Sequence, residues 1–253
     1  MINIIKYLIL VFLLFPLQPI SAQTFGFGCL GFAGGYGGYS FQQYKPAGLN
    51  NYIVVYNELR TDSSISDMKN FGKTQGYRFG LNFFRADFKG FIITAKGFYQ
   101  FLSEKHDASE TMTGGSSNTS FKLELNNWGL GLDLGTSITS MVSWKVLDAA
   151  LLFNSATFVN TENFPGARTE VQKYKSGSEL GYTVGTGFIL DLIDEYVTLE
   201  GLAAYTMISI DEIKKDDGTY LTLNEDPDSG RMKNFIESGG FNAVIQLNIG
   251  FPL

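Results

Sequence analysis

The chain has 253 residues, 25 acidic against 19 basic for a formal net charge of -6, 15% aromatic residues and one cysteine. So many aromatics at such low charge exclude disorder, the acidic balance argues against a nucleic-acid partner, and Cys29 alone rules out a disulfide-stapled fold. The length admits one large β domain or two small ones, and no Pro-rich or Ser-rich linker divides residues 24–253.

The N-terminus reads as a secretory signal: Lys6 for the positive region, an apolar run over 7–15, and a helix-breaking, small-residue end from Pro16 to Ala22. The run is too short for the ~20 apolar residues of a membrane helix. The domain reading is a cleaved signal over 1–22, taking the charge to -7 with the loss of Lys6, and one β domain over 23–253.

Alternation with period two, the mark of strands, then recurs eight times. The first segment, about 29–41, sets Leu30, Phe32, Gly34, Tyr36 and Gly38 against the small Cys29, Gly31, Ala33, Gly35 and Gly37. The second, 77–83, sets Tyr77, Phe79, Leu81 and Phe83 against Arg78, Gly80 and Asn82. The third, 91–101, sets Phe91, Ile93, Ala95, Gly97, Tyr99 and Phe101 against Thr94, Lys96 and Gln100. The fourth, 121–134, sets Trp128, Leu130, Leu132 and Leu134 against Gly129, Gly131 and Asp133; its phase slips near Asn126 and Asn127, implying a bulge or an extension beyond a membrane.

The fifth, 145–158, is the weakest: Leu147, Ala149, Leu151 and Phe153 alternate with Asp148, Ala150 and Asn154, yet 141–153 also reads as a short helix. The sixth sets Tyr182, Val184, Thr186, Phe188 and Leu190 against Gly181, Thr183, Gly185 and Gly187. The seventh sets Val197, Leu199, Ala203, Tyr205 and Met207 against Thr198, Glu200 and Thr206. The eighth, 241–251, alternates with one slip at Val244. No long apolar helix candidate follows the signal.

Short connections at 86–90, 135–144 and 191–196 alternate with long ones at 44–76, 103–120, 160–178 and 211–240. In an up-and-down meander this puts every long loop at one end, as in outer-membrane barrels. A soluble eight-stranded barrel is the rival, but its outer face would be rich in Lys and Glu. Here one face is apolar and the other mostly Gly, Asn, Thr and Ser, with about one charge per strand. The fold class expected is therefore all-β: an eight-stranded antiparallel up-and-down transmembrane β-barrel. Tyr77, Tyr99, Phe101, Tyr196 and Phe251 fall where interfacial aromatics sit.

Over about 30–253 the chain resembles the small eight-stranded outer-membrane barrels of the OmpA and OmpX type. It departs from that pattern in ending on Leu253, with Phe251 third from last, and in showing no peptidoglycan-binding segment after the barrel. The resemblance implies a bacterial outer-membrane location after export. It also implies a non-enzymatic barrel whose long extracellular loops serve adhesion, surface recognition or envelope integrity. Partners would be outer-membrane lipid and an extracellular ligand or envelope protein. A lipid-modifying enzyme and an accessory subunit of a secretion or transport complex are the alternatives.

No residue is assigned as catalytic, cofactor-binding or metal-binding. Gly26–Gly31 matches G-x-G-x-x-G but lacks the strand-then-helix context of a dinucleotide site. His106, with Ser103 or Ser109, is the one arrangement suggesting lipid hydrolysis, and a solvated loop histidine is the simpler reading. The loop over 211–240 is acidic without calcium-loop spacing, and Asp217-Gly218 marks a hairpin expected to project beyond the membrane. The lumen carries the site expectation: Arg78, Lys96, Asp133 and Glu200 point inward, Arg78 highest, as an ion-paired polar plug in a barrel just wide enough for its side chains.

Overall fold

The structure, a computed structural model, describes residues 34–60, 64–88, 90–112, 114–166, 168–193, 196–224 and 231–250. The expected signal segment, the glycine motif at 26–31, Cys29 and Phe251 lie outside them. In chain order the elements are β1 (Gly34–Gln43), α1 (Ala47–Glu58), β2 (Ser64–Ser66), β3 (Lys73–Phe88), β4 (Phe91–Met112), β5 (Gly115–Ser137), β6 (Val142–Phe164), β7 (Arg168–Lys175), β8 (Glu179–Ile193), β9 (Val197–Met207) and β10 (Gly240–Gly250).

Eight of these strands close a barrel in the order β1-β3-β4-β5-β6-β8-β9-β10, and β10 returns to β1 with Gly34 opposite Gly250 and Gln42 opposite Asn242. Every pairing is antiparallel, the up-and-down meander read from the sequence. Closure gives each barrel strand two neighbours, so no sheet edge faces lipid.

Side chains then divide by polarity. Outward-facing Phe79, Trp128, Leu130, Leu132, Leu151, Tyr182, Phe188, Tyr205, Ile245 and Leu247 are all exposed. Their inward counterparts Arg78, Lys96, Asp133, Asp148, Thr183, Glu200 and Gln246 are buried. A surface this apolar is stable against acyl chains and not against water.

Residues 126–127 of β5 mark the upper edge of that surface. Odd-numbered residues face inward along the whole strand, and pairing with β4 and β6 runs through this point without a shift. What changes is chemistry. Below it, Trp128–Leu134 puts Trp and Leu outside and Asn127, Gly129 and Asp133 inside. Above it, Lys122 and Glu124 face out and Phe121, Leu123 and Leu125 are buried within. The slip in the sequence is therefore an extension beyond the membrane, with no bulge there.

This extension corrects the loop reading. Residues 103–120 and 160–178 are largely strand: β4 and β5 stay paired as far as Met112 opposite Gly115, β6 runs on to Phe164, and β7 pairs with it. With β2 on the far side of β4 they form a tall wall, β2-β4-β5-β6-β7, above one half of the barrel.

The remaining long connections fold against that wall. Helix α1, not anticipated from the sequence, buries Leu49, Tyr52, Ile53 and Tyr56, with Tyr52 and Tyr56 against the Phe121 ring. The segment after β9 makes the expected hairpin at Asp217-Gly218, where Gly218 adopts φ +89 and Lys214 pairs with Tyr220; residues 216–219 are exposed at its tip, and its base packs on the head. Ile210 pairs with Ile236, Lys214 joins Lys175 of β7, and Ile213, Leu221, Phe235 and Ile236 are buried in the head core.

In β1 the face carrying Tyr36 turns inward, where Tyr36 is buried, and Gly35, Gly37, Tyr39 and Phe41 lie on the outer face. Tyr36 occupies the space over Gly80, where a Cβ would stand 2.3 Å from its ring. Phe98 fills the equivalent space over Gly129. The slip at Val244 has the same cause: it joins Leu202 and Ala204 in a small apolar patch within the lumen.

The inversion predicts a position-dependent cost. Leu132→Arg in the belt should lower unfolding free energy in lipid vesicles by about 2–4 kcal/mol. Ser116→Arg, outward and above the edge, should change it by less than about 0.5 kcal/mol. Equal losses in urea titrations would contradict the assignment.

Candidate functional site

The lumen is built in layers, because inward residues of adjacent strands meet across the ladders. Thr94, Asp133 and Asp148 share one row of β4, β5 and β6; Lys96, Gly131 and Ala150 the next; Phe98, Gly129 and Leu152 the third; Gln100, Asn127 and Asn154 the fourth; Leu102, Leu125 and Ala156 the fifth. Polarity thus runs ionic, small and aromatic, amide, then apolar toward the head.

The ionic layer joins five side chains from four strands. Lys96 Nζ lies 2.7 Å from Asp133 Oδ1 and also contacts Asp148 Oδ2. Lys145 Nζ lies 2.8 Å from Asp133 Oδ2 and 3.4 Å from Asp148 Oδ2, and meets Glu200 Oε1. The other Glu200 oxygen accepts from Gln246 Nε2 at 3.2 Å and Asn248 Nδ2 at 3.5 Å. All five are almost fully buried. Ions this deep cost several kcal/mol each unless paired and hydrogen-bonded, and each here has an opposite charge in contact.

Of the four lumen residues named from sequence, Lys96 and Asp133 are in direct contact, and Glu200 joins them only through Lys145. Arg78 stands apart in the amide layer: its Nε donates to Gln100 Oε1 at 2.8 Å, and its guanidinium lies 4.3 Å from the Phe98 ring centroid. Two lysines face three carboxylates below, and Arg78 carries the charge that offsets the one left over in that layer.

Lys145 and Asp148 were missing from the sequence-derived set. Strict alternation points Lys145 outward with Leu147, but pairing slips between Lys145 and Asp148 against β8 and between Leu134 and Gly135 against β5. This bulge leaves Val146 and Leu147 both exposed and turns Lys145 inward with Asp148. The signal was present as two consecutive apolar residues, Val146-Leu147, between two charged ones.

Above the amide layer, Leu102, Phe121, Leu123, Leu125 and Phe158 face α1 and residues 208–224 and 231–236 in one apolar core. Glu104 fastens this lid. Its Oε2 accepts from the Tyr44 hydroxyl at 2.7 Å and from the Gly72 and Lys73 amides at 3.1 and 2.8 Å, and its Oε1 lies 2.9 Å from His106 Nε2. Burial, and then the Glu104 carboxylate, hold the Tyr44 phenol well above the usual tyrosine range.

The hydrolase arrangement around His106 is not assembled. His106 is on the inward side of β4 beside Glu104 and the Phe71 ring, whereas Ser103 and Ser109 alternate to the outward side; Ser109 Oγ donates to Asn118 Oδ1 at 2.7 Å. Among the described residues no group of three His, Cys, Asp or Glu is placed to hold a metal ion.

No protein-family profile and no curated protein sequence matches the chain. Among solved structures it is similar to Ail, the attachment invasion locus protein of Yersinia pestis, at 11% identity over 87% of this chain and 98% of that one, with a TM-score of 0.37. It is also similar to Neisserial surface protein A, at 14% identity over 87% and 97% with a TM-score of 0.38. A third is the outer membrane protease OmpT from Escherichia coli, at 10% identity over 87% and 94% with a TM-score of 0.40.

A double-mutant cycle tests the ionic layer. Lys145→Met alone should cost about 3–5 kcal/mol by leaving carboxylates buried without their cation. Adding Glu200→Met should cost less than the sum of the two single changes, by at least about 1 kcal/mol. Additive costs would show that Lys145 and Glu200 do not act as a pair.

Proposed function

We propose that this chain is a non-conducting, non-enzymatic barrel of the bacterial outer membrane that holds a rigid folded head above the outer leaflet for adhesion, surface recognition or envelope integrity. One observation carries the reading: the lumen is stopped twice, by the Lys96–Asp133–Lys145–Glu200 layer and by the apolar lid of α1 and residues 208–224 and 231–236. A channel would need a continuous wet path, and a lipid enzyme would need a nucleophile and base together at the rim. What the chain does build is a platform. Five strands rise as one wall, packed behind by its own core, with a polar outer face; the lid spends the long connections on rigidity. A preordered surface binds at lower entropic cost than a mobile loop.

Orientation follows from insertion after export: the short connections between β3 and β4, β5 and β6, and β8 and β9 face the periplasm, and the head faces outward. In a Cys29→Ser background, Val171→Cys on β7 should react with a membrane-impermeant maleimide on intact cells, and Thr139→Cys should react only after lysis. The purified protein should give no steady conductance steps in planar bilayers. Large, stable steps, or labelling of Thr139→Cys on intact cells, would defeat the proposal.

A further inference from the structure

The outer face of the wall carries an arrangement that sheet physics disfavours. Lys105 of β4 stands directly opposite Lys122 of β5, and the same row continues through Val159 of β6 to Lys173 of β7. The row beneath ends on Lys175, and Lys73 of β3 is exposed on the adjoining strand. Like charges directly across a ladder are destabilising, and Lys105 and Lys122 are placed so, with Lys173 further along the same row. Against these five lysines stand three carboxylates, Asp107 one row above, Glu124 in the lower row and Asp216 of the segment after β9, lying within 3.1 Å of Lys105, Lys122 and Lys175 respectively. Such exposed pairs are weak and exchange partners easily. The face is thus net positive on a chain whose formal charge is -6.

Height above the belt points to the occupant. Phe101, exposed in β4, is the topmost aromatic on that strand's outward face, and Lys105 lies four residues above it. That is about 13 Å along the strand, or about 10 Å along the membrane normal at the usual 35–45° tilt. The polar layer of one leaflet is about 5–8 Å thick. Lysine stems reaching back toward the interface bring their ammonium groups to the level of lipid phosphates.

We propose that this lysine band docks the phosphate-bearing headgroups of outer-leaflet lipid, so that the head stands on a ring of bound lipid. The inference rests on the outer-membrane reading above. The apolar belt supplies insertion; the band supplies lipid selectivity and fixes the height of the wall. Anionic headgroups supply the countercharge that makes Lys105 beside Lys122 favourable.

The test uses the full barrel in neutral detergent micelles, with retained lipid counted by native mass spectrometry. The probes are a bisphosphorylated glycolipid and its dephosphorylated counterpart with the same acyl chains. Wild type should retain the phosphorylated lipid preferentially, and less so as salt rises. A K105Q/K122Q/K173Q variant should lose about fivefold per lysine removed, while D107N/E124Q should gain. Each variant must first show the mobility shift on boiling that marks a closed barrel; a wild type without that shift fails the barrel reading itself. With the barrel intact, equal retention of both lipids, or an unchanged preference in the triple lysine variant, overturns the docking band. Displacement by millimolar inorganic phosphate also overturns it, since the site would then take free phosphate and not lipid.

Discussion

The constraint on which the rest depends is that hydrocarbon accepts neither an unpaired backbone amide nor a charge. A chain meeting it with strands must close the sheet, and this one does so by pairing β10 with β1 over Gly34–Gln42. Closure fixes which side of every strand is outside, and alternation then sorts the residues. Trp128, Leu130, Leu132 and Leu134 face out because they are the residues lipid tolerates; Gly129 and Asp133 face in because their neighbours have nowhere else to point. At Asn126 the surroundings change from lipid to water and the sorting reverses without any change in backbone. One continuous strand therefore belongs to two architectures, a membrane wall below and half of a soluble core above.

The interior follows from the narrowness of eight strands. Large inward side chains fit only where an adjacent strand offers glycine, as Tyr36 does over Gly80 and Phe98 over Gly129. Charges that enter this space must satisfy one another, and the two lysines and three carboxylates at the base do so with help from Gln246 and Asn248. Nearer the head the inward face becomes apolar and needs a cover, which α1 and residues 208–224 and 231–236 provide. Glu104 ties the chain just before and well after that helix to β4 through three donors, the Tyr44 hydroxyl and the Gly72 and Lys73 amides, so the lid is held by directed bonds as well as by burial.

The barrel was legible in the sequence because period two is strict where one face meets lipid. Strand number, topology and the inward placement of Arg78, Lys96, Asp133 and Glu200 all follow from that pattern. Legibility ended where the pattern changed meaning. Residues 103–120 looked like a loop because both sides are largely polar, with Lys105, Asp107 and Ser109 outward and Glu104, His106 and Glu110 inward, so no apolar face marks the period. Helix α1 was hidden because its apolar residues cover a core made by distant strands, leaving no long apolar run. Lys145 was missed because one bulge at Val146-Leu147 moves it to the opposite face. Tyr36 was placed outside because an aromatic in a glycine-rich strand reads as lipid-facing until Gly80 is known to lie beside it.

The account stands most directly on the reversal along β5. Single spin-labelled cysteines at alternate outward positions from Ser116 to Leu134, in lipid vesicles, can be scored for collision with oxygen and with a water-soluble nickel chelate. Labels at 128, 130, 132 and 134 should favour oxygen, those at 116, 118, 120, 122 and 124 should favour the chelate, and the crossover should fall at residue 126. Chelate access throughout the series would mean that no part of this face meets lipid, and the account would be wrong.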